Sequence, residues 1–214
     1  DRLYMEFQGV PQMGNYNPIL TKQLRSEEIH NRVLTTNYVE AKPIADLNIR
    51  TSISADIYNK QDNSYIPSNI GQSMRDSYNG KGWSWRGITE YWQWDNSISY
   101  EKTIGKNRIF GLLSTCMSKT RNNSIDMNGY NFPTDVLGYK GLGLASNRDM
   151  NTINSDYVTN TLASVIARIN YSYDGKYLLT ATVRRDGSSK FSEGNKWGTF
   201  PSLSAAWNMN EESF

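Results

Sequence analysis

LASVIARINYSYDGKYLLTATVRRDGSSKFSEGNKWGTFPSLSAAW, residues 162–207, alternates along most of its length. Ala163, Val165, Ala167, Ile169, Tyr171 and Tyr173 are apolar or aromatic, while Ser164, Arg168, Asn170 and Ser172 between them are polar. A period of two marks a strand with one oily face. Asp174-Gly175-Lys176 supplies a tight turn, after which Tyr177, Leu179, Ala181 and Val183 resume the oily face against Thr180, Thr182 and Arg184. The segment reads as a β-hairpin.

Alternation alone leaves two environments for the oily face. In a soluble sandwich it meets a core, whereas in an outer-membrane barrel it meets lipid and the polar face lines the lumen. Two details favour the barrel. Tyr171, Tyr173 and Tyr177 cluster where the strands meet the short turn, as interfacial girdle residues do, and the connection at the opposite end is long.

The residues also resemble a known family. Arg168-Ile-Asn-Tyr-Ser-Tyr173, with Arg168, Asn170 and Tyr173 as its marks, is followed by Tyr177-Leu-Leu-Thr-Ala-Thr182. Next come Arg185-Asp-Gly-Ser-Ser-Lys-Phe191, containing Asp186, Gly187 and Phe191, and then Asn195-Lys-Trp-Gly-Thr-Phe-Pro-Ser202, containing Trp197, Gly198 and Pro201, with Ser204-Ala-Ala-Trp207 closing the series. These ordered blocks resemble the barrel signature of SusC/RagA-type TonB-linked outer-membrane proteins of Bacteroidetes. The likeness extends more loosely through Arg32 to Arg50 and Trp94 to Arg108.

The resemblance implies an all-β fold, an antiparallel up-and-down transmembrane β-barrel with short periplasmic turns and long extracellular loops. Such a transporter closes with about 22 strands around a plug, and this chain offers about seven, so it reads as a sector of a larger barrel. The family imports oligosaccharides or peptides across the cell outer membrane, energised through a TonB complex that engages the plug. A SusD-like surface lipoprotein is its partner, and outer-membrane lipid its surroundings. The plug is expected outside these residues. Asp1 follows no initiator methionine or export signal, so the chain is expected to be a fragment.

Composition is compatible with that picture. A mean hydropathy of -0.66 is polar for a membrane protein, but a β-barrel gives only every second residue to lipid. No apolar run approaches the roughly 18 residues of a membrane helix. The net charge of +2 and the lack of a basic stripe interleaved with aromatics argue against nucleic acid as a partner. A single cysteine, Cys116, excludes an intrachain disulfide framework and most zinc sites.

The rest of the chain follows in order. Residues 1–31 read as an irregular entry loop, with Asn17-Pro18-Ile19 resembling the family's Asn-Pro-hydrophobic step and Leu24 to His30 allowing one helical turn at most. The barrel segment is expected over 32–214. A strand over 32–42 ends at Pro43, which lacks an N–H for the ladder. From Leu47 the pattern is clean, with Ile49, Ile53, Ala55 and Ile57 opposing Arg50, Ser52, Ser54 and Asp56. A strand over Tyr91 to Thr103 and a return from Arg108 to Lys119 make a second hairpin around Gly105-Lys106-Asn107. Between strands lie long polar connections at 59–89, 120–159 and 186–199, all on the side opposite the short turns.

Those connections carry the candidate contact residues. Tyr65, Trp83 and Trp85 are aromatics in a polar loop, suited either to stacking on sugars or partner proteins or to packing the loop on itself. Arg184-Arg-Asp-Gly-Ser-Ser-Lys-Phe191 matches the family's Arg-x-Asp-Gly-Ser-Ser-Arg/Lys-Phe motif. Asp186 and Gly187 suit a turn, and Arg184 and Lys190 suit pairing with Asp186. Direct substrate contact by Arg184, Asp186 and Lys190 is the sharper alternative.

Cofactors are not expected. Ser124, Asp126, Asn128, Gly129 and Asp135 have spacings reminiscent of a calcium loop, but Ser leads, Asp closes and no helices flank it. Gly141-Leu-Gly143 lacks the strand-turn-helix of a nucleotide fingerprint. Catalysis has no support: His30 stands alone in sequence, Glu27-Glu28 reads as a solvated face, and Cys116 as a small strand residue. Two rival readings remain at this stage, a soluble β-sandwich or carbohydrate-binding module and an outer-membrane barrel without transport.

Overall fold

The structure, a computed structural model, describes residues 22–70 and 78–212. Seven strands form one antiparallel sheet in sequence order: β1 (Arg25–Ile44), β2 (Leu47–Ile66), β3 (Lys81–Ile104), β4 (Asn107–Tyr130), β5 (Thr152–Tyr173), β6 (Tyr177–Ser188) and β7 (Trp197–Trp207). Strictly neighbouring connections are those of an up-and-down barrel wall. The Asn17-Pro18-Ile19 step lies outside the described residues.

The short turns form as their sequences demand. Asp174 and Gly175 both adopt positive φ, 52° and 71°, and Lys176 N donates to Tyr173 O at 2.9 Å. Left-handed conformations at both central positions give a twist that matches the flanking strands. The register then pairs Tyr173 with Tyr177, Ile169 with Ala181 and Val165 with Arg185, and on β7 Tyr177 with Trp207 and Ala181 with Leu203. The oily residues of three strands therefore share one face.

That face decides between sandwich and barrel. Ile49 and Ile53 are 39% and 54% exposed, and Val165, Ile169 and Leu179 are 42%, 59% and 44% exposed. A sandwich would bury these side chains against a second sheet, and among the described residues no second sheet exists. The sandwich reading is thereby corrected: the apolar face is built without a protein cover, as a lipid-facing wall is.

The strands run further than their periodicity suggested. Long connections expected at 59–89, 120–159 and 186–199 contract to 67–80, 131–151 and 189–196. The ladder is made by backbone groups and does not need alternation. Where neither face is apolar the pattern vanishes, but pairing continues through polar side chains: Ser84 Oγ donates to Asn63 Oδ1 at 2.7 Å, and Trp83 Nε1 to Asp126 Oδ2 at 2.5 Å. β1 likewise begins at Arg25, inside the segment expected to be a loop with a helical turn, and carries Pro43 in its last two residues. The strand borders a neighbour on one side only within this sheet, which spares proline a ladder donor.

The chain divides into two compact units. One comprises the described residues within Asp1–Arg32, Tyr58–Ile88 and Asn122–Tyr157; the other comprises Val33–Ile57, Thr89–Arg121 and the described part of Val158–Phe214. Buried hydrophobic side chains among the described residues, Tyr65, Ile70, Tyr78 and Phe132, all belong to the first. The second is wall, with its apolar side chains exposed.

Candidate functional site

In the second unit the polar face presents hydrogen-bonded side chains at alternate positions. Gln93 Nε2 donates to Asp95 Oδ2 at 2.7 Å and Tyr91 donates to Gln93 Oε1, a run of i, i+2 neighbours along β3. Arg168 donates from Nε to Thr182 Oγ1 at 3.2 Å, its direct partner in the register. Cys116 is a half-buried strand residue of β4.

The first five residues of the Arg184–Phe191 motif are strand, with Asp186 and Gly187 in the ladder and the turn displaced to Ser189-Lys190. Asp186 and Gly187 pair with Ser164 and Ala163 on β5 and with Gly198 and Trp197 on β7. Arg184 Nε reaches both carboxylate oxygens of Asp186, at 2.8 and 2.7 Å. Two residues apart on an extended chain, the pair shares one face. Lys190 makes no ion pair with Asp186 among the described residues; its backbone N donates to Ser188 Oγ at 3.3 Å. The glycine is required by a close approach, because a Cβ at Gly187 would lie 2.8 Å from the indole of Trp197. Arg185 covers the same indole, its guanidinium carbon 5.3 Å from the ring centroid, a cation–π contact. Phe191 is 61% exposed beyond the strand.

In the first unit the three aromatics part company. Tyr65 is 1% exposed: its hydroxyl donates to Asp135 Oδ1 at 2.7 Å, and its ring meets Phe132 edge-on with centroids 5.1 Å apart. Tyr65, a β2 residue, is thereby packed beneath the 131–151 connection and buried away from solute. Trp83 and Trp85 are half-buried on β3. Asp126 holds Trp83 through its indole N–H, and Asn128 braces Asp126 at 3.0 Å. Trp85 lies flat on its own strand, where a Cβ at Gly87 would come within 2.2 Å of the ring. By strand parity Trp83 and Trp85 match Gln93 and Asp95, which sit on the polar face.

Asp135 is the residue that sequence reasoning misplaced. Ser68 N and Oγ donate to it at 3.0 and 2.7 Å, beside Tyr65. Burial alone would raise its carboxyl pKa, but the hydrogen bonds from Ser68 and Tyr65 outweigh it and hold the group below its ordinary value. The loop it anchors continues across to β1, where Arg25 Nη1 donates to Val136 O at 3.2 Å and Tyr139 donates to Glu27. Its donors stand about 70 positions earlier in the chain, beyond any local signal. Of the residues with calcium-loop spacing, Ser124, Asp126, Asn128 and Gly129 are strand residues of β4, and Asp135 is engaged by Tyr65 and Ser68.

No family model matches the chain. Two proteins of Formosa agariphila are similar to it: "TonB-dependent receptor P26" is 36% identical over 205 residues, 92% of this chain and 20% of that protein, and "TonB-dependent receptor P39" is 30% identical over 203 residues, 92% of this chain and 19% of that protein. The TonB-dependent receptor SusC of Bacteroides thetaiotaomicron is 56% identical over 55 residues, 26% of this chain and 6% of SusC. The chain spans about a fifth of the length of the first two relatives. A solved structure, the RagAB peptide transporter, superposes with a TM-score of 0.82 at 18% identity, over 91% of this chain and 22% of that one, a likeness of fold. Together with the apolar wall and the strand order, these similarities place the chain: it belongs to the SusC/RagA-type TonB-dependent receptors and forms seven consecutive strands of a transmembrane β-barrel.

Proposed function

We propose that the protein containing this chain is a TonB-dependent active transporter that imports large nutrients, oligosaccharides or peptides, across the outer membrane together with a SusD-like surface lipoprotein. The observation that carries the reading is the two-faced wall, an exposed apolar face backed by a face of hydrogen-bonded polar side chains. Such a wall separates lipid from a wet interior. Trp83 and Trp85, flanked by Asp126 and Asn128, are the side chains best suited to touch a passing solute: flat rings stack on sugar or peptide planes, and the amide and carboxylate fix orientation. Arg184 and Asp186, which satisfy one another, serve the wall first.

The test is growth and uptake. A strain lacking the full-length protein is supplied with purified oligosaccharides or peptides as sole carbon source, with and without a functional TonB complex. Loss of growth on one class, restored by the gene only when TonB is present, is the expected result. Undiminished uptake of both classes by the deletion strain would leave a barrel without transport as the better reading.

A further inference from the structure

Glu28, His30 and Asp62 look unrelated in sequence, yet the sheet brings them together. Glu28 and His30 stand two apart on β1 and so share a face, and Asp62 projects beside them from the adjacent β2. One donor atom from each, a carboxylate oxygen of Glu28 and of Asp62 and a ring nitrogen of His30, lie within 4.8 Å of one another. His30 Nε2 is 2.7 Å from Glu28 Oε1, while its Nδ1 is hydrogen-bonded to Tyr58 Oη. The hydroxyl thus fixes the ring with one nitrogen directed at the carboxylates, the outer support that a metal-binding imidazole needs.

A cation already bridges the two carboxylates. Lys60 Nζ lies 2.9 Å from Glu28 Oε1 and 2.9 Å from Asp62 Oδ2. Asp62 Oδ1 is buried and has no hydrogen-bond partner among the described residues, so the group retains an unused acceptor there. Two carboxylates exceed the single charge of one ammonium, and Lys60 is on a flexible stem that can withdraw to water.

We propose that Glu28, His30 and Asp62 bind a divalent transition-metal ion of the zinc class, with Lys60 as the resident cation it displaces. The charges then balance, two carboxylates and a neutral imidazole against a dication. One nitrogen and two carboxylate donors suit zinc better than calcium or magnesium, which favour all-oxygen shells. Three protein ligands leave a position open for water or for a donor group on an incoming solute.

The experiment is calorimetric titration of the full-length protein, purified in detergent, with zinc chloride. Wild type is expected to bind one zinc ion per chain. His30→Ala and Glu28→Gln should each lose it, Tyr58→Phe should weaken it by about tenfold, and Lys60→Met should tighten it by about tenfold by removing the competing cation. The gain in Lys60→Met cannot come from misfolding. Absence of zinc binding in both wild type and Lys60→Met, or binding indifferent to His30→Ala and Glu28→Gln, would overturn the proposal.

Discussion

Tyr177 and Trp207 face one another across the β6–β7 ladder with ring centroids 6.5 Å apart and planes 12° from parallel, and both donate to Oε1 of Glu212, at 2.8 and 3.2 Å. Tyr173 extends the row, 6.5 Å from Tyr177. Three rings at the turn end of the oily face, two of them with polar tips turned to a carboxylate, have the amphipathic form of residues at a membrane–water boundary. Lys176 approaches the other oxygen of Glu212 at 2.9 Å. Hydrogen bonds from Lys176, Tyr177 and Trp207 lower the Glu212 pKa.

The two faces of β6 predict opposite tolerance to charge. Leu179→Arg, on the exposed oily face, should cost about 2–4 kcal/mol and sharply lower the amount of protein assembled in the outer membrane. Thr180→Arg, one residue on, should assemble normally. Quantifying heat-modifiable protein in membrane fractions checks both, and equal behaviour of the two variants would contradict the assignment of faces.

Gly187 is predicted to resist even a methyl group. With Trp197 placed 2.8 Å from the position of its missing Cβ, Gly187→Ala must displace the indole and loosen the cation–π contact with Arg185, at a cost of about 1–3 kcal/mol. Denaturant unfolding of the full-length protein in detergent measures it. Gly111, where a Cβ would meet nothing within 4 Å, is the control, and Gly111→Ala should be nearly silent.

The loop anchored by Asp135 should loosen in acid. Because the folded carboxyl has a lowered pKa, its stabilisation is complete above the unfolded value near 3.9 and is lost as pH falls through the folded value. Protection of the amides over residues 131–151, taken relative to their intrinsic exchange rate at each pH, should therefore be unchanged between neutral and mildly acidic pH and fall only below about pH 4. Asp135→Ala should speed it at neutral pH by about tenfold or more, the scale of losing hydrogen bonds to a charged group.

Trp85→Ala is predicted to weaken substrate uptake by about 2- to 10-fold in apparent affinity, the worth of one aromatic contact, without lowering outer-membrane abundance. Tyr65→Ala should do the reverse, reducing abundance, since that ring is core. Uptake and abundance measured on the same cells separate the two roles.

What could be read from sequence followed the apolar band. Val165, Ile169, Leu179 and Ile53 announced their face because every second residue around them is polar, and the Asp174-Gly175 turn announced its conformation. Beyond the band the same strands continue with both faces polar, so the first seven residues of β1 and most of the polar end of β3 carried no period to detect. Trp83 and Trp85 were legible as candidates, but Tyr65 resembled them in composition and differs only in having Phe132 and Asp135 above it. His30 seemed isolated because Asp62 and Tyr58 reach it from another strand.

Each short turn is tied to the next strand or turn along the rim. Glu101 N donates to Asp46 O at 2.9 Å, Asp174 N to Lys106 O at 2.7 Å, and Asn208 N to Lys176 O at 2.7 Å, and beside them Lys102–Asp46, Lys106–Asp174 and Lys176–Glu212 close as ion pairs. Exposed pairs of this kind contribute little one by one, about 0–1 kcal/mol each. In sequence along a rim they act mechanically. A pull on one turn loads the backbone bond to its neighbour and passes sideways to the next, so tension is spread over several hairpins instead of peeling one away. The wall is thereby hooped at the end where the strands turn back.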